Sequence, residues 1–264
     1  DGVAWATVIS QFLSMVLIII CLYRSHGPIG FIPKELRIDK DKLKDIVKIG
    51  LPAGLQGMLF SISNVLIQSA VNSFGSIMVA ASSASGNIEA FIGTTMNAYY
   101  NAAITFTGQN MGAKKYDRID TIAKVCTVLI FATWIIMGGA ILLFGRSLLS
   151  IYTSDPEVIE LGMLRTKIMM AAYFTCGIMS VFPGLTRAMG YSVLPMICTL
   201  IGACLLRIVW LVTFFAWYPT VMMLFICYPI TWGIAGLGQV GCFLYARRKI
   251  RKTVVIAQPI HNYL

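Results

Sequence analysis

Seven long apolar stretches, parted by short polar junctions, set the pattern of this chain. A helix rises about 1.5 Å per residue, so roughly 20 apolar residues cross a hydrocarbon core. The pattern predicts spans at Val3–Tyr23, Ile46–Asn72, Met78–Thr107, Thr121–Phe144, Glu160–Phe182, Ser192–Ala216 and Val221–Ala246. Membrane barrels read instead as short segments of alternating hydrophobicity, a pattern this sequence lacks. The expected fold class is all-α: a polytopic membrane protein, a helical bundle of about seven transmembrane helices.

Charge orients the bundle. Basic residues fill alternate junctions: Arg24 to Lys48 after the first span, Lys114 to Lys124 after the third, Arg187 after the fifth, and Arg247 to Lys252 after the last. The junctions at Ser73–Ile77, Ser154–Val158 and Trp217–Pro219 are poor in Lys and Arg, with Arg146 the main exception. Positive loops stay on the cytoplasmic side, so the carboxy-terminus is expected in the cytoplasm. Tyr152, Trp217, Tyr218, Tyr228 and Tyr245 sit near predicted span ends and are expected at headgroup level.

Composition agrees. Hydrophobic residues make up 58% of the chain, charged residues 12%, and mean hydropathy is +0.78. Soluble domains carry about 25% charged residues. The net charge of +10 is a topology signal, since its residues flank spans and form no aromatic-interleaved basic face for nucleic acid. The seven cysteines lie in or at the ends of apolar spans without Cys-x-x-Cys spacing, which suits small buried hydrophobes. His26 and His261 both fall outside spans, so no histidine metal cluster is expected.

The start at Asp1, without an initiator Met or signal-peptide shape, reads as the carboxy-terminal part of a longer protein. Ser25 to Pro33 is Gly- and Pro-rich and reads as a turn. Lys34 to Ile49 reads as an amphipathic helix at the cytoplasmic surface, either a linker or a lipid-sensing element.

Polar residues inside spans are the candidate chemistry, because ionisable groups there usually line a cavity or pair. Ser82, Ser85, Glu89, Gly93, Met96 and Tyr100 share one face of the third span. Gly57, Ser61, Asn64, Gln68 and Asn72 form a stripe on the second, and together the two stripes imply a shared cavity. Glu89 and Arg207 both lie roughly 17 Å from the outer span ends, so a Glu89–Arg207 interaction is expected, with Arg165 and Lys167 as alternative partners for Glu89. Glu89 is either a structural ion-pair member or a proton- or cation-responsive group. Arg207 reads as structural. Gln56, Ser61, Asn64, Gln68, Asn97, Tyr100 and Tyr173 complete the cavity candidates. Pro52, Pro183 and Pro195 are candidate bend points, with Pro52 and Pro183 read more readily as ordinary helix ends.

The third span ends in Thr107-Gly-Gln-Asn-Met-Gly-Ala-Lys-Lys-Tyr-Asp-Arg118. Asn110 and Gly112 suit left-handed backbone angles at a helix end. This segment resembles the Gly-Gln-Asn-x-Gly-Ala-(basic) signature of multidrug and toxic compound extrusion (MATE) transporters, carried here by Gly108, Gln109, Asn110 and Gly112. Gly50-Leu-Pro-Ala-Gly54, Asn87-Ile-Glu-Ala90 with Met96-Asn97, and the Pro183–Ser192 segment containing Arg187 follow the family order. The resemblance implies four parts: residues 1–24 as the last helix of an amino-terminal lobe, 25–48 as an inter-lobe loop, 49–246 as a six-helix carboxy-terminal lobe, and 247–264 as a basic cytoplasmic tail.

It also implies a secondary active exporter working by alternating access between two lobes. Drugs or other organic, often cationic, compounds leave against protons or sodium, with the lipid bilayer and the amino-terminal lobe of the same full-length chain as partners. Some members carry two cation-site carboxylates in this lobe. This chain has Phe60 and Ser61, and Cys176 near Tyr173, at the corresponding positions. A sodium site of that kind is therefore not expected, and the coupling ion stays open between H+ and Na+. No cofactor is expected. The alternative within the superfamily is a flippase of lipid-linked oligosaccharide, which calls for a cationic cavity and to which Arg165, Lys167 and Arg207 are relevant. An enzyme is not expected, for no nucleotide-binding Gly-rich Lys-Ser/Thr motif and no intramembrane catalytic dyad is present.

Overall fold

Apolar stretches become helices and polar junctions become turns. The structure, a computed structural model, describes residues 2–25, 32–33 and 37–257. The chain divides into two compact units, Asp1–Ile46 and Val47–Leu264.

The first unit holds α1 (Gly2–Arg24), which exposes large apolar side chains such as Trp5, Phe12 and Ile18 along its length. That surface suits lipid. Most of the turn expected at 25–33 and the start of the expected surface helix (34–36) lie outside the described residues. α2 (Lys40–Asn72) starts at Asp39, whose Oδ1 accepts hydrogen bonds from the Asp41 and Lys42 N–H groups at 3.0 and 3.2 Å. This is an N-cap. From there the helix runs unbroken through Ile49 into the apolar stretch, so within the described residues the amphipathic segment and the second span are one helix.

In the second unit α3 (Ser76–Gly112) is the central post, packed along α4 (Asp117–Thr133), α6 (Pro156–Ala171) and α7 (Tyr173–Ala188). A π-helical turn at Trp134–Gly138 joins α4 to α5 (Gly139–Ser150). The next rod is α8 (Val193–Thr199), a π segment Leu200–Leu205, α9 (Leu206–Trp210) and a second π segment Leu211–Phe215. α10 (Val221–Ala257) packs along both α6 and α7. Gly202 lets the π segment approach α10 closely, since a Cβ there would stand 2.8 Å from the Ala235 Cα.

Five rods among the described residues are long and apolar enough to cross a membrane, and the α6–α7 pair makes a sixth when counted as one span. α3 has the length, at 37 residues, but its serines, threonines, asparagines and Glu89 make it too polar to pass by composition. Its neighbours explain why it can still stand in the bundle: Ser85, Glu89 and Thr107 are buried against protein.

The bend between α6 and α7 is 54° and falls at Ala172 (φ −131°, ψ 22°), where no proline stands. Pro52 and Pro183, expected at helix ends, lie inside α2 and α7 instead. α6 begins where the sequence indicates: Asp155 Oδ1 accepts from the Glu157 N–H at 2.9 Å, and Pro156 takes the first helical position.

The end of α3 corrects one expectation. The left-handed residue is Lys114 (φ 57°), rather than Asn110 or Gly112. Lys115 N–H bonds the Asn110 carbonyl and Lys114 N–H the Met111 carbonyl, the paired bonds of a Schellman stop. Asn110 stays helical and turns its Nδ2 back to the Phe106 carbonyl at 2.8 Å. α7 ends in the same motif at Gly190 (φ 89°), where glycine carries no steric cost.

Candidate functional site

Six helices place polar and aromatic side chains around two adjoining cavities. The larger, about 420 Å³, takes Phe60 and Asn64 from α2, Met96 and Asn97 from α3, Tyr173 and Ser180 from α7, Arg207 from α9, and Tyr228 and Trp232 from α10. The smaller, about 210 Å³, takes Gln56, Tyr100, Arg187 and Thr199, and shares Phe60, Met179 and Ser180 with the larger. Gln56, Phe60 and Asn64 recur every four residues on α2, so one helical face serves both spaces.

Arg207 is fully buried, between the two π segments of its rod. Its Nη1 donates to Asn64 Oδ1 at 2.8 Å and its Nε to Thr231 Oγ1 at 3.4 Å. The guanidinium carbon lies 4.5 Å from the Tyr228 ring centre and 5.2 Å from that of Phe60. Cation–π attraction of this kind is worth up to about 2 kcal/mol or more when desolvated. Nη2 has no partner. Tyr228 is therefore a wall of the site, two turns inside α10.

Arg187 organises the smaller cavity. Its Nη1 donates to the Tyr100 hydroxyl at 2.8 Å and its Nη2 to Gln56 Oε1. Gln56 Nε2 in turn donates to Thr199 Oγ1 at 2.8 Å, and the same oxygen accepts from Gln239 Nε2 at 2.9 Å. This chain of hydrogen bonds ties α2, α3, α7, α8 and α10 together. Buried polar networks of this sort fix one arrangement when satisfied, because each broken link strands a desolvated group.

Glu89 does not pair with Arg207. Its Oε2 accepts from Arg165 Nη2 at 3.0 Å, both side chains being about nine-tenths buried. Arg165 Nη1 also donates to the Ser82 carbonyl at 3.1 Å. The expectation failed because equal depth fixes height along a helix and not the face presented. α6, which bears Arg165, packs along α3, whereas α9, which bears Arg207, packs on α10. Glu89 Oε1 is buried without a partner, and Tyr173 donates its hydroxyl to the Glu89 carbonyl at 3.4 Å. Glu89 thus stands one side chain behind the cavity wall.

Of the other expected cavity residues, Asn64, Asn97, Tyr173 and Arg207 line the larger space, and Gln56 and Tyr100 the smaller. Ser61 is exposed and lines neither; Gln68 is also exposed and donates to Asn72 Oδ1 at 3.0 Å. Gly108, Gln109, Asn110 and Gly112 form the end of α3 away from both cavities, while Arg187 is central to one. Sequence reasoning missed Phe60, Ser180, Thr199 and Trp232 as site residues. Phe60 shares a helical face with Gln56 and Asn64, and that register was the available signal. Among the described residues, no three His, Cys, Asp or Glu side chains are grouped so as to hold a metal ion.

Residues 52–213 match the MatE family. Over 205 residues the chain is 25% identical to the probable multidrug resistance protein YoeA of Bacillus subtilis, covering 75% of this chain and 44% of that protein. It is 28% identical over 217 residues to the probable multidrug resistance protein YpnP of Bacillus subtilis, covering 82% and 48%. The bent form of the Vibrio cholerae MATE transporter VcmN shares the fold, with a TM-score of 0.75 at 20% identity over 84% of this chain and 50% of that one. The chain spans about half the length of the curated relatives it matches. The family match runs from α2 through the rod that carries Arg207, and it takes in both cavities' α2, α3 and α7 walls. This multi-pass helical membrane bundle belongs to the MatE family.

Proposed function

We propose that the chain forms one lobe of a secondary active transporter that carries small organic compounds out of the cell across the plasma membrane. An amino-terminal lobe of the same full-length chain would face it, and the carboxy-terminus would be cytoplasmic. The observation that most supports this reading is the cavity between α2, α3, α7 and α10. Polar groups are costly inside a bilayer and gather where they line a cavity. Here amides, hydroxyls and Arg207 converge with aromatic rings on a space of about 420 Å³. Small-molecule sites run to roughly 300–1,000 Å³ with this mixture of apolar wall and few polar groups. The Bacillus subtilis relatives, both named as probable multidrug resistance proteins, favour the same reading.

Coupling to inward protons or sodium is part of the proposal. Glu89 is the carboxylate buried in the bundle among the described residues, and Tyr173 links its backbone to the cavity wall. A cation arriving at Glu89 would compete with Arg165 for the carboxylate. Release of Arg165 would loosen α6 from α3 beside the Ala172 bend, which is a route from ion to rocking motion.

The test is flux through the full-length protein in proteoliposomes under imposed proton or sodium gradients. Gradient-driven movement of organic compounds is expected, and Glu89→Gln should abolish it while membrane levels stay normal. No flux of any compound under either gradient would refute the transporter reading. Unchanged flux in Glu89→Gln would remove Glu89 from coupling.

A further inference from the structure

The charge of the two cavities points to a substrate class. Each cavity has one charged side chain in its wall: Arg207 in the larger and Arg187 in the smaller. Neither arginine has a carboxylate within ion-pair distance among the described residues, whereas Arg165 has Glu89. The partners of Arg207 are an amide, a hydroxyl and two aromatic rings, and those of Arg187 are an amide and a phenol. Both keep a buried N–H without an acceptor, at Arg207 Nη2 and Arg187 Nε.

A guanidinium withdrawn from water loses far more solvation than a neutral acceptor and two ring faces return. Arginine's planar fork is made to take a carboxylate or phosphate through two parallel bonds. Around Arg207 the remaining wall is mostly apolar or aromatic, from Phe60, Met96, Met179 and Trp232. Such a wall suits an apolar body.

We infer that the larger cavity takes an anionic group, a carboxylate or phosphate carried on an apolar or aromatic body, with Arg207 as its counter-charge. This rests on the transporter reading and names its substrate class, in place of the cations that the family resemblance implies. The shared chemistry covers a free organic acid and the phosphate of a lipid.

The experiment uses three ligands of one shape with the full-length protein in nanodiscs: 1-naphthaleneacetate, its neutral amide, and the cationic 2-(1-naphthyl)ethylamine. The carboxylate is expected to bind at least about tenfold more tightly than either analogue. Arg207→Gln should erase that preference and Arg207→Lys should keep part of it. Equal binding of the three, tighter binding of the amine, or no binding of the carboxylate overturns the inference without any variant having to fold. Flux of cations in the proteoliposome assay alongside such a result would leave the transporter reading standing. A polyprenyl monophosphate that displaces the carboxylate through Arg207 would identify a lipid phosphate as the source of the anion. Failure of that lipid to compete, with the carboxylate still bound, would identify a free organic acid.

Discussion

Arg165 and Arg207 are both buried in the same bundle, yet they are balanced in opposite ways. Arg165 meets a carboxylate on the neighbouring central post, which balances its charge. Arg207 meets only neutral and aromatic groups and stands in a cavity wall. The difference teaches where structure ends and binding begins. Each arginine keeps a buried N–H without an acceptor, but only Arg207 of the two lacks a carboxylate to balance its charge, and that unbalanced charge is what a ligand can meet.

The contrast can be broken from the Arg165 side. Glu89→Ala leaves Arg165 buried without its carboxylate, and losing one partner of a buried pair costs about 3–5 kcal/mol. Thermal unfolding of the purified protein should show that loss. The double change Glu89→Met with Arg165→Met should recover most of it, because apolar replacement of both partners is often neutral or better. A double variant as unstable as the single would mean that the pair holds the helices for another reason.

The network beside Arg187 gives an intermediate effect. Thr199→Val removes the oxygen shared by Gln56 and Gln239, and a stranded buried donor costs about 1–3 kcal/mol. Gln239 retains the Pro195 carbonyl at 3.0 Å, so the value should fall near the lower end.

Arg207→Met sharpens the comparison. No carboxylate is orphaned, and the lost cation–π attraction is offset by removing a buried charge, so the loss should be about 1 kcal/mol. A loss as large as that of Glu89→Ala would show that Arg207 is a structural group like Arg165. Lys114→Gly, at the end of α3 and away from the cavities, should give a change of similar size and opposite sign. Glycine takes the left-handed angle freely, and a gain of about 1 kcal/mol is expected. This variant calibrates the scale on which the others are read.

The rods were legible from the sequence because hydropathy reports length and burial in lipid directly. α3 was legible too, since its polar residues fall on a stripe and leave the rest apolar. Depth was readable for Glu89 and Arg207, but the face each presents depends on how helices pack, so Arg165 emerged only as an alternative partner. The π segments that flank Arg207 shift that face further, and nothing in Leu200–Leu205 or Leu211–Phe215 marks them. Phe60, Tyr228 and Trp232 were lost among other aromatics because an aromatic in an apolar span has no contrast with its surroundings. The bend at Ala172 was missed for a related reason: prolines marked the eye, and the helices absorbed Pro52 and Pro183 without ending there.

The central claim is that the space between α2, α3, α7 and α10 holds the transported compound. Photo-crosslinking of a transported, diazirine-bearing compound to the full-length protein, followed by peptide mapping, tests it directly. The account predicts labels on the peptides that contain Phe60, Asn97, Met179 and Trp232, and loss of those labels when unlabelled compound is in excess. Labels confined to α1, or to the outer faces of α4 and α5, would contradict it.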